Sequence, residues 1–269
     1  MKRIILTLIL LFCITNLTFS ADEASLDFKI SGKKTVSFTL NELKSKLDSH
    51  KIDFFDPIYE KNKMFNAFKL GDVLNLAYKD KWINNSFTDI SFKALDGYEA
   101  VAKIDILKNE GGYIAFEDID FPDWEPVGRN KSNPAPFYIV WFKKDQTPQF
   151  GYPWPWQLKE INLITFRDQF PKVYPEGVSD DSAEFAGFTI FKERCIRCHS
   201  ISQQGGKVGP DLNAPKNILE YRLQDMVKEF IKNPSDYRFT HMPDHRDLSG
   251  EDLDNLIKYL LYIGKNKKE

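Results

Sequence analysis

The sequence predicts two domains, an α+β domain followed by a small all-α domain. Three observations carry this. Short apolar runs with strand alternation recur up to about residue 166. A stretch rich in proline, glycine and acid follows, from Arg167 to Asp181. Beyond it the apolar residues recur at helical spacing nearly to the end of the chain. The predicted organisation is 1–20 as a signal peptide, 21–167 as the α+β domain, 168–181 as a linker and 182–269 as the helical domain.

In the first domain, Val36-Ser37-Phe38-Thr39-Leu40 alternates as a strand, and Asn41 offers a cap for a helix through Leu47. A second helix is expected from Asp72 to Tyr78. Strands are expected over Ile90–Ala94, Glu99–Ile106, Tyr113–Phe116, Phe137–Phe142 and Ile161–Phe166, with Asp96-Gly97 as a hairpin turn between the first two. The run Tyr152-Pro153-Trp154-Pro155-Trp156 is not regular structure, because its prolines withhold backbone donors. In the second domain, helices are expected over Ser182–Cys195, Ile218–Asn233 and Ser249–Ile263. Ser249, with Asp252 three residues on, nearly makes a capping box. Leu253, Leu256, Ile257, Leu260 and Leu261 share one face of that last helix.

Of 269 residues, 42% are hydrophobic and 28% charged. That is the balance of a globular protein. The formal charge of −2 lacks the clustered basic excess that nucleic acid requires, so no nucleic-acid partner is expected. At the N-terminus, Lys2 and Arg3 precede an apolar run from Ile4 to Phe12, and Thr18-Phe19-Ser20-Ala21 presents small residues for cleavage after Ser20. This reads as a secretory signal peptide and implies a periplasmic, secreted protein. Bulky Phe12 argues against lipid anchoring at Cys13. No later run is long and apolar enough to be a transmembrane segment. Removing the signal takes the formal charge from −2 to −4.

Of the three cysteines, cleavage leaves Cys195 and Cys198, and they run straight into His199. Cys195-Ile196-Arg197-Cys198-His199 is the C-x-x-C-H pattern of c-type haem attachment. Two thiols almost one helical turn apart reach the two vinyl groups on one edge of a porphyrin, and the histidine after the second falls under the iron. The competing readings are a redox dithiol, a plain disulfide or half of a zinc site, for which only His241 and His245 remain nearby. The candidates for a second axial ligand are Met242, His241 and His245. Met226 is set aside because it sits in a helix expected to turn its apolar residues inward.

With these residues in view, the region from about 182 to 264 resembles the monohaem class I cytochrome c family. The resemblance implies one covalent haem c per chain, with thioethers to Cys195 and Cys198 and iron held by His199 and Met242. Gly209-Pro210-Asp211-Leu212 resembles the family's proline loop, in which the Pro210 carbonyl accepts the proximal histidine N–H. Gly187 and Phe191 resemble its first-helix contacts, Tyr259 the last-helix aromatic that packs on that glycine, and Asn233-Pro234 the end of its middle helix. Lys192, Arg194, Arg197 and Lys207 make either a basic ring for an acidic redox partner or a solvated face.

The order of elements in the first domain, with Phe38-Thr39-Leu40, Asp96-Gly97-Tyr98 and the closing Trp156–Phe166 segment, resembles the molybdopterin-binding domain of sulfite-oxidase-type oxidoreductases. That family binds molybdenum through a cysteine, which this domain lacks. His50 is expected at the end of a helix as a surface residue. Trp124, Trp141, Trp154 and Trp156 read as core or partner surface. No nucleophile–base pair, phosphate loop or metal cluster is evident, so no catalytic residues are assigned. The expected function is single-electron transfer to or from a redox protein. The alternative is an electron-transfer domain fused to an oxidoreductase whose first domain binds substrate or a second cofactor.

Overall fold

The computed structural model describes residues 24–83, 87–128 and 131–268. The signal-peptide expectation, with Cys13, lies outside them.

The first domain runs β1 (Ser25–Ile30), β2 (Lys33–Thr39), α1 (Leu40–Lys46), β3 (His50–Asp56), β4 (Lys61–Lys69), α2 (Leu70–Tyr78), β5 (Asp89–Ala94), β6 (Glu99–Lys103), β7 (Gly112–Asp118), β8 (Tyr138–Trp141) and β9 (Leu158–Ile164). Five strands form one sheet in the order β2-β1-β9-β5-β6, and four form another in the order β3-β4-β7-β8. All pairings between these strands are antiparallel except β1 with β9. Their apolar faces share a core with Phe28, Phe65, Phe68, Phe92 and Trp141 among its fully buried members. Trp124 and Trp154 are buried there too, and Trp156 packs on its edge.

Strand alternation decides what else goes inside. In β3, Ile52, Phe54 and Asp56 face inward, and in β4 Lys63, Phe65 and Ala67 do so. Asp56, Lys63 and Asp118 of β7 therefore enter the core as ionisable groups. Lys63 Nζ sits 2.6 Å from Asp118 and 3.0 Å from Glu125.

The structure corrects several local expectations. Thr39, not Asn41, caps α1, in a reciprocal capping box with Glu42. The Thr39 hydroxyl accepts from Glu42 N–H at 3.2 Å, while the Glu42 carboxylate accepts from Thr39 N–H at 2.8 Å. His50 opens strand β3 rather than ending a helix, with its ring edge-on to Tyr113. Strand β6 stops at Lys103, and a 3₁₀ segment continues from Ile104 to Lys108.

The stretch expected as a linker is packed structure. Short helix α3 (Phe166–Gln169) opens it, and Phe166, Phe170 and Val173 are buried in the core of the second domain. The second domain consists of α4 (Ala183–Ile190), a π-helical turn over Phe191–Cys195, the two-residue strands β10 (Ser200–Ile201) and β11 (Gln204–Gly205), α5 (Gln224–Lys232) and α6 (Gly250–Lys265). The expected helix from Ile218 to Asn233 is interrupted: Ile218–Glu220 is one 3₁₀ turn, and regular helix resumes only at Gln224. Met226 on α5 is exposed, contrary to its expected inward orientation. Ser249 caps α6 with a complete capping box to Asp252. Among the described residues, no helix is long and apolar enough to cross a membrane.

Candidate haem site

Helix α4 is started by Ser182, a residue type suited to the cap, whose hydroxyl accepts from Phe185 N–H at 3.1 Å. The helix crosses α6 at Gly187, where a Cβ would stand 2.0 Å from the Asn255 carbonyl oxygen. Tyr259 of α6 is fully buried. Its ring packs against Phe191 at 5.4 Å and Phe188 at 5.9 Å, and its hydroxyl donates to the Val173 carbonyl at 2.8 Å. Gly187, Phe191 and Tyr259 thus share the α4–α6 junction, which fixes the turn that follows. The π turn ends at Cys195, whose carbonyl accepts from Cys198 N–H at 3.1 Å and His199 N–H at 2.9 Å. Two thiols and an imidazole are thereby held on one compact turn.

Both cysteines are free thiols. Burial pushes Cys195 up to about 12 and Cys198 up to about 11, against the opposing pull of Arg197. A redox dithiol needs the opposite, a thiol depressed towards neutrality. Among the described residues, no three His, Cys, Asp or Glu side chains are placed to hold a metal ion between them.

His199 Nδ1 lies 2.8 Å from the Pro210 carbonyl oxygen. A carbonyl only accepts, so this contact puts the ring proton on Nδ1 and leaves the Nε2 lone pair for iron. Burial also lowers the His199 pKa, with Pro210 and Asp211 opposing, and so favours the neutral ring. Gly209 is required beside it, since a Cβ would come 2.6 Å from His199 Cε1.

Asp211, which the sequence reading passed over except as part of the proline loop, organises that loop. It accepts from Ser200 Oγ and from the backbone N–H groups of Ser202, Gln203, Asn213 and Ala214, at 2.6–3.2 Å. Burial works to raise its pKa, yet these donors outweigh burial and hold it below the usual range, as hydrogen bonds to the charged form do. The legible signal was its place after Gly209-Pro210, where an aspartate accepts from the turn's N–H groups. Asn217 then ties the loop to α6, donating to Asn213 at 2.8 Å and to the Leu260 carbonyl at 2.9 Å.

Met242 is half-buried against the core that also contains Phe191 and packs Cys195, and Pro243 follows it. His241 is exposed and lies against the Phe239 ring. His245 is half-buried, its backbone N–H bonded to the Lys232 carbonyl at 3.2 Å.

Six large apolar side chains stand exposed between His199 and Met242 in the chain: Val208, Tyr221, Leu223, Met226, Tyr237 and Phe239, the last 91% exposed. Exposed apolar side chains in such number are surface that a bound apolar group would cover. With a free imidazole nitrogen, two uncharged thiols and a thioether at its ends, the site fits a large flat apolar cofactor carrying iron.

Residues 185–264 match the family model for cytochrome c. The C-terminal domain is a cytochrome c domain. Its role is haem binding and electron transfer, with haem c held covalently. No curated protein matches the chain. The resemblance of the first domain to sulfite-oxidase-type enzymes gains no support from these comparisons.

Three of the four basic residues near the motif are engaged within the molecule. Lys192 pairs with buried Asp89 at 2.6 Å, Arg194 with Asp247 at 2.8 Å, and Arg197 donates to the Glu193 carbonyl. Lys207 is exposed.

Proposed function

We propose that this chain is a periplasmic c-type cytochrome that carries one haem and passes single electrons to or from a redox protein partner. Cys195 and Cys198 would hold the cofactor by thioethers, and His199 and Met242 would ligate its iron. The observation that carries the reading is the His199–Pro210 contact, which presents a neutral imidazole nitrogen beside two protonated thiols.

Haem c supplies a one-electron iron couple when bound. The chain's residues do the rest. Pro210 orients the His199 ring, and an imidazole whose second nitrogen is hydrogen-bonded is a stronger donor to iron. Gly209 leaves room for that ring, and the α4–α6 junction keeps the thiols in place. Met242, ahead of a proline that limits its loop, supplies a soft sulfur that raises the potential relative to bis-histidine ligation. With both residues bound to iron, the site would offer electron exchange rather than substrate binding.

Substitution tests the axial pair. Met242→Ala is expected to abolish the far-red sulfur-to-iron charge-transfer band of the ferric protein, lower the potential and admit carbon monoxide to the reduced form. His241→Ala and His245→Ala are expected to keep the band. Retention of the band in Met242→Ala refutes this ligand set. Haem should also resist acid–acetone extraction, because the thioethers are covalent.

A further inference from the structure

The sheet that contains β5, β6 and β9 has two different faces. Ile90, Phe92, Ile161 and Leu163 point into the first domain's core. Alternation and register turn Asp89, Ser91, Glu99 and Asn162 the other way, together with Val101 and Ile164. That second face is largely polar, yet all six residues are buried. The second domain closes over it, because Val101 and Ile164 belong to that domain's core. The β5–β6 hairpin is bonded to the same neighbour: Glu99 N–H donates to the Arg197 carbonyl at 3.0 Å, and Lys207 N–H to the Gly97 carbonyl at 3.0 Å.

At this junction Asp89 meets Lys192, which lies in the π-helical turn that ends at Cys195. The Lys192 ammonium is 2.6 Å from Asp89 Oδ1, with 15% of the lysine side chain and 1% of the aspartate side chain exposed. The same ammonium lies over the Phe166 ring, 4.6 Å from its centroid. Thr88 completes the node, since its hydroxyl donates to Asp89 Oδ2 at 2.6 Å and accepts from Phe166 N–H at 3.1 Å. Among the described residues no directed hydrogen bond reaches Asp89 Oδ1, so the Lys192 charge is what compensates it. One carboxylate thus joins the first domain's sheet, the segment after β9 and the turn that carries the motif. A buried ion pair returns little net stability. What it does fix is where two charges sit.

We propose that Asp89 is a positioning residue for electron transfer: it anchors the Lys192 ammonium at the haem-binding turn and offsets its charge, so that the first domain sets the haem's reduction potential. The inference rests on the haem reading given above. Charges this poorly solvated act on a neighbouring centre with little screening. The ferric cofactor carries one positive charge more than the ferrous. A buried carboxylate left without its lysine therefore favours the ferric form and lowers the potential, and an ammonium left without its carboxylate raises it.

Redox titration of full-length, haem-loaded protein tests this on wild type, Asp89→Asn, Lys192→Gln and the double variant. Asp89→Asn keeps an acceptor for the Thr88 hydroxyl and should raise the midpoint potential. Lys192→Gln should lower it, and the double variant should fall between the two singles. A merely structural role predicts otherwise, because loosening the junction from either side moves both singles in the same direction. Shifts of the same sign, or a wild-type potential in either single variant, overturn the proposal. If only one single variant loads haem, the sign of its shift decides. If neither does, the proposal also falls, since a charge that tunes the potential is not needed for loading. Wild-type protein without covalent haem overturns the haem reading itself, and this inference with it.

Discussion

Asp56 enters the core of the first domain because strand β3 alternates, and the face that buries Ile52 and Phe54 buries it as well. One carboxylate oxygen accepts from Ile58 N–H at 2.8 Å and Tyr59 N–H at 3.1 Å, while the other has no hydrogen-bond partner. Burial is the largest influence and lifts its pKa to about 6, with those N–H groups, Tyr138 and Lys63 pulling the other way. In the unfolded chain an aspartate titrates near ~3.9. The native state therefore binds the proton more tightly, and this contribution to stability is complete below about pH 4 and lost as pH rises through ~6. Asp56→Asn keeps an acceptor for the two N–H groups and removes the titration. Urea unfolding of variant and wild type is expected to show a difference that grows in the variant's favour between about pH 4 and pH 7, by up to ~3 kcal/mol. A constant difference over that range refutes the assignment. Such residues were not legible in the sequence, since an aspartate ending an unrecognised strand looks like a surface residue. Cys195, Cys198, His199 and Pro210 were legible because their chemistry needs a fixed local spacing.

At the level of elements, strands rich in apolar residues were readable, and a strand with a charge on its buried face was not. Strands β5, β7, β8 and β9 are rich in buried apolar residues and were expected within a few residues of their observed ends. Strand β4 was missed because Lys61, Asn62, Lys63 and Asn66 mask its alternation, although Lys63 is one of its buried positions. The break between Ile218 and Gln224 was missed because Asn217 caps a single turn with its own partner Glu220, a local competition that helical periodicity does not register. The α4–α6 crossing was implied by the family resemblance at Gly187 and Tyr259; in the structure Gly187 meets the Asn255 backbone, while Tyr259 packs on Phe188 and Phe191. With the Asn255 carbonyl 2.0 Å from any Cβ at position 187, a methyl group must push backbone from backbone. Gly187→Ala is expected to destabilise the holoprotein by about 1–3 kcal/mol, towards the upper end because no flexible side chain can yield. Thermal unfolding followed at the haem absorption checks it, and an unchanged midpoint contradicts the close crossing.

At the scale of the whole molecule, the composition shift at Arg167–Asp181 marks a change of layer, and the residues within it are shared rather than free. Phe166, Phe170 and Val173 are buried with Phe188 and Tyr259, and the Tyr259 and Tyr262 hydroxyls donate to the carbonyls of Val173 and Glu176. Val101 and Ile164 of the first domain's sheet join the same core. Turn-forming residues signal where regular structure stops, but they carry no information on what the intervening aromatic residues touch. In energetic terms the helical domain therefore begins ahead of the linker, not after it. A haem-loaded fragment starting at 182 would fold without three buried apolar side chains, each contributing roughly 1.5–3 kcal/mol, and would leave the Tyr259 hydroxyl without its acceptor. That loss is comparable with the whole stability of a small domain, about 5–15 kcal/mol. A fragment starting at 165 restores those contacts, and only the full chain adds Val101 and Ile164 to the core, together with the Lys192–Asp89 pair and the hairpin bonds to Arg197 and Lys207. Melting temperatures of the haem-loaded proteins are therefore expected to rise in the order 182–269, 165–269, full length. The first step should be the larger, because it adds three buried apolar side chains, two of them phenylalanines, and the Tyr259 acceptor, whereas the second adds Val101 and Ile164 and an ion pair that returns little beyond its own desolvation. Equal melting of the two fragments would show that the segment 165–181 rests on the helical core without stabilising it.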